Sequence, residues 1–188
     1  EGYAVDVRCP GGVAIVAEGL VAYLGPLIFH NSGFDIRQLT ALGFDPEYLW
    51  PRAIDTHVMA HVIHSDRLSF ALDSLVRVYL ESEREDWKKD FRKAMKKGKF
   101  TWANVPFLMM VPYGISDTVM THRLYTTLKG LMDSTLWDVV HKEMDVRWAM
   151  WTVELRGMML DRPYAEGLRE VWETDLQLDR EWFDETYG

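Results

Sequence analysis

Two carboxylates stand where chain geometry gives side chains chemical work. Asp35 closes the segment His30-Asn31-Ser32-Gly33-Phe34-Asp35, just after the compact apolar run Leu27-Ile28-Phe29, and α/β sheets place their sites at the carboxyl ends of strands. Gly33 allows a backbone to approach a ligand closely. Asp117 follows Tyr113 by four residues, which puts a phenol and a carboxylate on one face of a helix. Pro112 just before them predicts a helix that begins there, with Tyr113 and Asp117 in its opening turns, near the positive end of the helix dipole where anionic ligands are favoured. Taken singly, a carboxylate after a strand is more often a helix cap than a metal ligand, and a tyrosine more often a core-edge aromatic. Asp55 reads as a cap for the helix starting at Thr56, a contribution of about 1 kcal/mol, and not as a site residue.

His57, His61 and His64 share one helical face, a spacing that invites zinc. No further ligand pattern accompanies them, and no glutamate follows His57 as in metalloprotease helices, so a polar face is the expectation. Between Arg84 and Lys99 there are eight basic and three acidic residues, a net +5 that leaves −13 for the rest of the chain. Such a run is either a solvated helix face or a phosphate-tracking surface, in which Lys88, Lys89, Arg92 and Lys93 would face nucleic acid and Trp87 or Phe91 would lie near a base.

These residues need a frame. The 188 residues, 48% of them hydrophobic, suffice for one domain, or one domain and a fragment, and at this size about two-thirds of the unfolded chain's surface leaves water. A net charge of −8 excludes a protein that coats nucleic acid over its whole surface. One cysteine, Cys9, excludes an internal disulfide framework and is compatible with a reducing, cytoplasmic location. The most apolar stretch, Gly11 to Phe29, is interrupted by Glu18 and Gly25-Pro26, so no membrane span is expected. Tyr3–Val7 and Val13–Val16 read as two strands around the turn Pro10-Gly11-Gly12, with a short helix over Gly19–Leu24. A strand at Leu27–Phe29, a helix through Ile36, Leu39 and Leu42, and a strand at Arg52–Ile54 complete a β, α, β, α order. Helical periodicity dominates from Thr56: segments through Val62 and through Leu80, one from Pro112 to about Met132, one over Leu136–Leu155 ended by Gly157, and a last one opened by Pro163. The tryptophans and methionines fall mostly at core spacing. The main boundary is expected near Met132–Ser134, dividing the chain into 1–132 and 133–188.

Four of these segments, in this order, resemble the exonuclease region of the family A DNA polymerases, the 3′-5′ proofreading domain of the DnaQ-like superfamily. Asn31-Ser32-Gly33-Phe34-Asp35 resembles the second motif, Asn-x-x-x-(Phe/Tyr)-Asp, with one fewer intervening residue, preceded by His30 as in many phage and bacterial members. Ile54-Asp55-Thr56 resembles a strand-end Asp-Thr, Leu72-Asp73-Ser74-Leu75 a Leu-x-x-Leu helix, and Tyr113 to Asp117 the third motif, Tyr-x-x-x-Asp. Glu154 to Asp161 resembles the entry into the polymerase region, a feature that ribonuclease D enzymes should lack. The polymerase's own catalytic motifs would lie further on, so DNA synthesis by this chain is not expected.

The resemblance implies an α/β, ribonuclease H-like exonuclease fold lacking its N-terminal strand or strands, followed by long helices of the polymerase region. It implies two ions of Mg²⁺ or Mn²⁺ that remove nucleotides from a single-stranded 3′ end of DNA. Asp35 and Asp117 would hold metal, Tyr113 would orient water, and Asn31 and Phe34 would contact the DNA end; the remainder of the polymerase chain is the implied partner. The family's first motif, Asp-x-Glu on a strand, is not found. Asp45-Pro46-Glu47 falls in a loop, Asp179-Arg180-Glu181 in a C-terminal helix, and Asp6, expected on a strand, has no glutamate after it. Since the chain opens without methionine, a motif upstream of Glu1 is the expected explanation, and weak cleavage by this chain alone follows. The rival reading is a noncatalytic DNA-binding or structural remnant of such a domain.

Overall fold

The computed structural model describes residues 3–80 and 87–187; the side chains of Trp87 and Lys88 are outside that set, as are Arg84, Glu85 and Asp86 of the basic run. The elements are α1 (Gly12–Ala22), β1 (Leu27–Phe29), α2 (Ser32–Ala41), α3 (Pro46–Leu49), a 3-10 turn (Trp50–Arg52), β2 (Ala53–Asp55), α4 (Thr56–Ile63), α5 (Leu72–Tyr79), α6 (Trp87–Lys97), α7 (Phe107–Gly130), α8 (Ser134–Arg156) and α9 (Arg162–Tyr187). The result is a mostly helical α/β arrangement in which β1 and β2 form a two-stranded parallel sheet, with Leu27 opposite Ala53 and Phe29 opposite Asp55. Parallel strands need a crossover, which α2, α3 and the 3-10 turn supply.

Two expectations at the amino end are corrected. Val13–Val16 is not a strand but part of α1, and Tyr3–Val7 is not a strand either. A four-residue apolar run does not distinguish strand from helix, and Gly11, left-handed at φ 81°, starts the helix before Val13 can extend. Asp6 therefore sits in a turn, its carboxylate accepting from the Arg8 backbone N–H at 3.0 Å and from Arg8 Nε at 2.9 Å.

The core gathers where the sheet meets α4, α5 and α7. Ile36, Leu49, Met59, Leu75, Leu124 and Leu128 are fully buried, and Val140, Met144 and Trp151 of α8 join them. On α7 the buried Thr121, Leu124 and Leu128 form one stripe, and at helical spacing its upward continuation is Asp117 and then Tyr113. The apolar anchoring of α7 thus dictates which way those two side chains point. Pro112 does not open this helix as expected. The helix starts five residues earlier, at Phe107 after Pro106, and Pro112 lies within it. Pro106 fits the start because its missing N–H costs nothing there, whereas Pro112 deletes one internal hydrogen bond. Tyr113 and Asp117 are consequently beyond the first turn, where the dipole effect has faded.

The chain divides into two compact units, Glu1–Trp151 and Thr152–Gly188. In the second, Gly157 is left-handed at φ 69° and ends α8 as expected, and α9 buries none of its residues. The tryptophans and methionines split: Trp50 and Trp151 are core, while Met158, Met159, Trp172 and Trp182 are exposed. Among the described residues, no helix is long and apolar enough to cross a membrane.

Candidate active site

The ends of β1 and β2 stop level with each other, and that registration builds the site. Asp55, the last residue of β2, has no exposed surface. Its carboxylate accepts from the His57 N–H at 2.9 Å, capping α4 as expected. It also accepts from the Asn31 N–H at 2.9 Å and the Ser32 N–H at 2.7 Å, so the same carboxylate caps α2 across the sheet. Asn31 is left-handed, φ 72° and ψ 56°, a conformation asparagine tolerates better than most residues, and its side chain makes no cap bond of its own. Thr56 closes the arrangement: its hydroxyl donates to the Phe29 carbonyl at 3.0 Å and lies 2.9 Å from His30 Nδ1. The single hydroxyl proton being spent on Phe29, His30 Nδ1 is the donor in that contact.

A cleft of about 1020 Å³ opens beside these strand ends, with Asn31, Asp35, His57, Phe70, Asp117 and His122 among its lining residues. The two carboxylates chosen from the sequence thus face one space although 82 positions separate them. Burial first, and the charge of Asp55 second, push the Asp35 carboxyl up to about 6. Asp117 accepts a hydrogen bond from the Tyr113 hydroxyl; burial above all, then the Asp117 charge and that bond, push the phenol up to about 12. Tyr113 is therefore a fixed proton donor at neutral pH. Its ring stacks on Phe91 of α6, centroids 4.7 Å apart at 19°, with Trp102 at 6.0 Å.

The other sequence candidates sit elsewhere. Phe34 is 61% exposed and is not among the cleft-lining residues. On α6, Phe91 is buried while Lys89, Arg92 and Lys93 are exposed; Lys93 pairs with Asp90 at 3.7 Å. Lys88 belongs to α6, but its side chain lies outside the described residues. The histidine run does not form a simple polar face. His57 packs edge-on against His30 at 5.9 Å and near Phe70 at 5.5 Å, and burial lowers its basicity. A Cβ at Gly33 would meet Trp151 at an ordinary 3.6 Å.

Two participants carried no signal in the sequence. Arg147 of α8 places Nε 3.4 Å from Asp55 Oδ2, an ion pair without the alignment of a hydrogen bond, and donates from a terminal nitrogen to Asn31 Oδ1 at 2.5 Å. Trp151, one turn further on, donates from Nε1 to the Gly33 carbonyl at 3.1 Å and packs edge-on against Trp50 at 5.7 Å. Both lie more than ninety residues from these partners, and nothing local marks them.

Among the described residues, no group of three or more histidine, cysteine, aspartate or glutamate side chains is close enough to hold a metal ion. Asp35 and Asp117 nevertheless suit part of a ligand set for a hard divalent cation, which prefers carboxylate oxygen. A cation would also favour the ionised form that burial disfavours at Asp35.

The family model described as 3′-5′ exonuclease, of the A-type DNA polymerases, matches residues 7–133. The chain belongs to this family of 3′-5′ exonuclease domains. Among its relatives are the DNA polymerase of Mycobacterium phage L5, 24% identical over 84% of this chain and 29% of that protein, and the DNA polymerase of Escherichia phage T5, 31% identical over 66% of this chain and 16% of that protein. The DNA polymerase of Mycobacterium phage D29 is 24% identical over 82% of this chain and 28% of its own length. The chain thus spans less than a third of the curated relatives it matches. No solved structure matches it.

Proposed function

We propose that this chain is the proofreading region of a phage-type family A DNA polymerase, with a ribonuclease H-like exonuclease domain over 1–132 and the helical start of the polymerase region over 133–188. It removes nucleotides from a single-stranded 3′ end of DNA in the cytoplasm of a bacterial or phage-infected cell. The observation that carries this reading is the common cleft of Asp35 and Asp117, one from each of two separate motifs.

Asp35 and Asp117 would hold Mg²⁺ or Mn²⁺, which when bound polarises the scissile phosphate and stabilises the attacking and leaving oxygens. The chain's own residues do the positioning. Tyr113 keeps its proton, points it at Asp117 in a hydrogen bond, and offers its oxygen lone pairs to a water that must attack phosphorus. Asn31, at the mouth of the strand ends, contacts the terminal nucleotide, with Phe34 beside it. Lys88, Lys89, Arg92 and Lys93 follow the phosphates along α6. Because the ligand set here is partial, the chain alone binds Mn²⁺ weakly and cleaves poorly; joining it to a strand bearing Asp-x-Glu strengthens both.

The test is Asp117→Ala in the polymerase that contains this chain, assayed on a single-stranded DNA end with Mg²⁺. Trimming should be abolished while the melting temperature is kept. Trimming at the parent's rate would refute the assignment.

A further inference from the structure

The loop that joins β1 to α2 is held from outside the family-matched region. That match ends at residue 133, yet Arg147 and Trp151 of α8 hold the junction of this loop with α2, Arg147 through the Asn31 side chain and Trp151 through the Gly33 carbonyl in the first turn of α2. The guanidinium has donors only, so the amide atom it meets must be Asn31 Oδ1. Arg147 thereby sets which way round the Asn31 amide stands. Its own placement is fixed by the buried Asp55 carboxylate, and the arginine fork spans two acceptors that a lysine point charge does not.

We propose that Arg147 is a positioning residue of the cleft. It commits Asn31 Oδ1 and so turns the two amide N–H donors into what Asn31 offers a ligand. The ligand atom recognised by those donors is then a hydrogen-bond acceptor, a phosphate or sugar oxygen of the terminal nucleotide. This rests on the cleft being the DNA site, as proposed above.

The experiment uses the 188-residue chain and the variants Arg147→Lys, Arg147→Gln, Asn31→Gly and the double variants. Glycine is chosen at 31 because it keeps the left-handed backbone. Arg147→Lys is the primary variant, since it keeps a positive charge beside the buried Asp55, which Arg147→Gln removes. Two readouts are taken: the NMR signals of the Asn31 side-chain amide, and the affinity for a short single-stranded oligothymidylate in the presence of Ca²⁺. In the parent, the Asn31 amide pair should be dispersed away from the solvent-exposed asparagine signals. Arg147→Lys should move it toward them and weaken DNA binding by about tenfold, the size of one charge-assisted contact. In the Asn31→Gly background the same change should have no further effect on affinity. An equal loss in that background would mean that Arg147 meets the DNA directly, and the positioning role falls. Unmoved Asn31 signals in a folded Arg147→Lys variant overturn it as well. Should the parent fail to bind the oligonucleotide, the DNA reading of the cleft fails; the positioning role is then decided by the amide signals alone.

Discussion

At Asp35, burial and a neighbouring charge show directly in the acidity of one carboxyl. Its pKa is raised from 3.8 to about 6, so the folded state holds a proton that the unfolded chain releases, and stability falls as pH rises through that window. The carboxyl is only partly buried, and screening reduces the effect to about 1–2 kcal/mol. Asp35→Asn should therefore stabilise the chain by about that much at pH 7.5 and leave it unchanged at pH 3.5, measured by urea denaturation. At the proposed metal site a cation would compete with the same proton. Mn²⁺ affinity of the parent should rise with pH up to about 6.5 and then level, and Asp35→Asn should remove the rise; a pH-independent affinity would separate Asp35 from the metal.

The elements differ in how openly the sequence declares them. The β1–α2–β2 unit, the Asp55 cap and the Gly157 stop were legible because each follows from a local pattern: a short apolar run, a capping carboxylate, a left-handed glycine. The start of α7 was not, since Pro112 and Pro106 both satisfy the rule for a first helical turn and only packing selects between them. Nor was α1, whose Val13–Val16 run suits either structure. The bonds of Arg147 and Trp151 to the site loop were beyond reach for a different reason: contacts across 116 and 118 positions have no local signature. In α6 the buried Phe91 stacks on Tyr113 while Lys89, Arg92, Lys93, Lys96 and Lys97 are exposed, an arrangement compatible with a helix that both tracks phosphates and holds the phenol proposed to orient water. Replacing Lys88, Lys89, Arg92 and Lys93 by glutamine should weaken single-stranded DNA binding about equally for all sequences. The slope of log affinity against log salt should flatten by at least about 0.7, the share of one phosphate. An unaltered slope would leave α6 a solvated face. Phe91→Ala, by contrast, should cost about 3 kcal/mol of stability.

At the scale of the molecule, the compact unit ends at Trp151, well past the last residue matched by the family model, 133. Ending the chain after Arg156 removes α9, which buries nothing, and should shift the melting temperature by no more than about 3 °C. Ending it after Met132 removes Val140, Met144 and Trp151 from the core and leaves Asp55 without its arginine. That loss should exceed about 5 kcal/mol, comparable with the whole stability of a small domain, and calorimetry should show no cooperative transition. The two-helix cap at Asp55 has a consequence in time as well as in space. Its bonds to Ser32 and to His57 exist only once β1 and β2 lie in register, because a one-residue slip would carry the carboxylate to the other side of the sheet. The two helix starts are thus locked by one event, and the carboxylate acts as a check on strand alignment during folding. Native-state hydrogen exchange should find the Ser32 and His57 amides opening together with a single free energy, and Asp55→Ala, which removes both accepting oxygens, should lower the protection of both by the same factor.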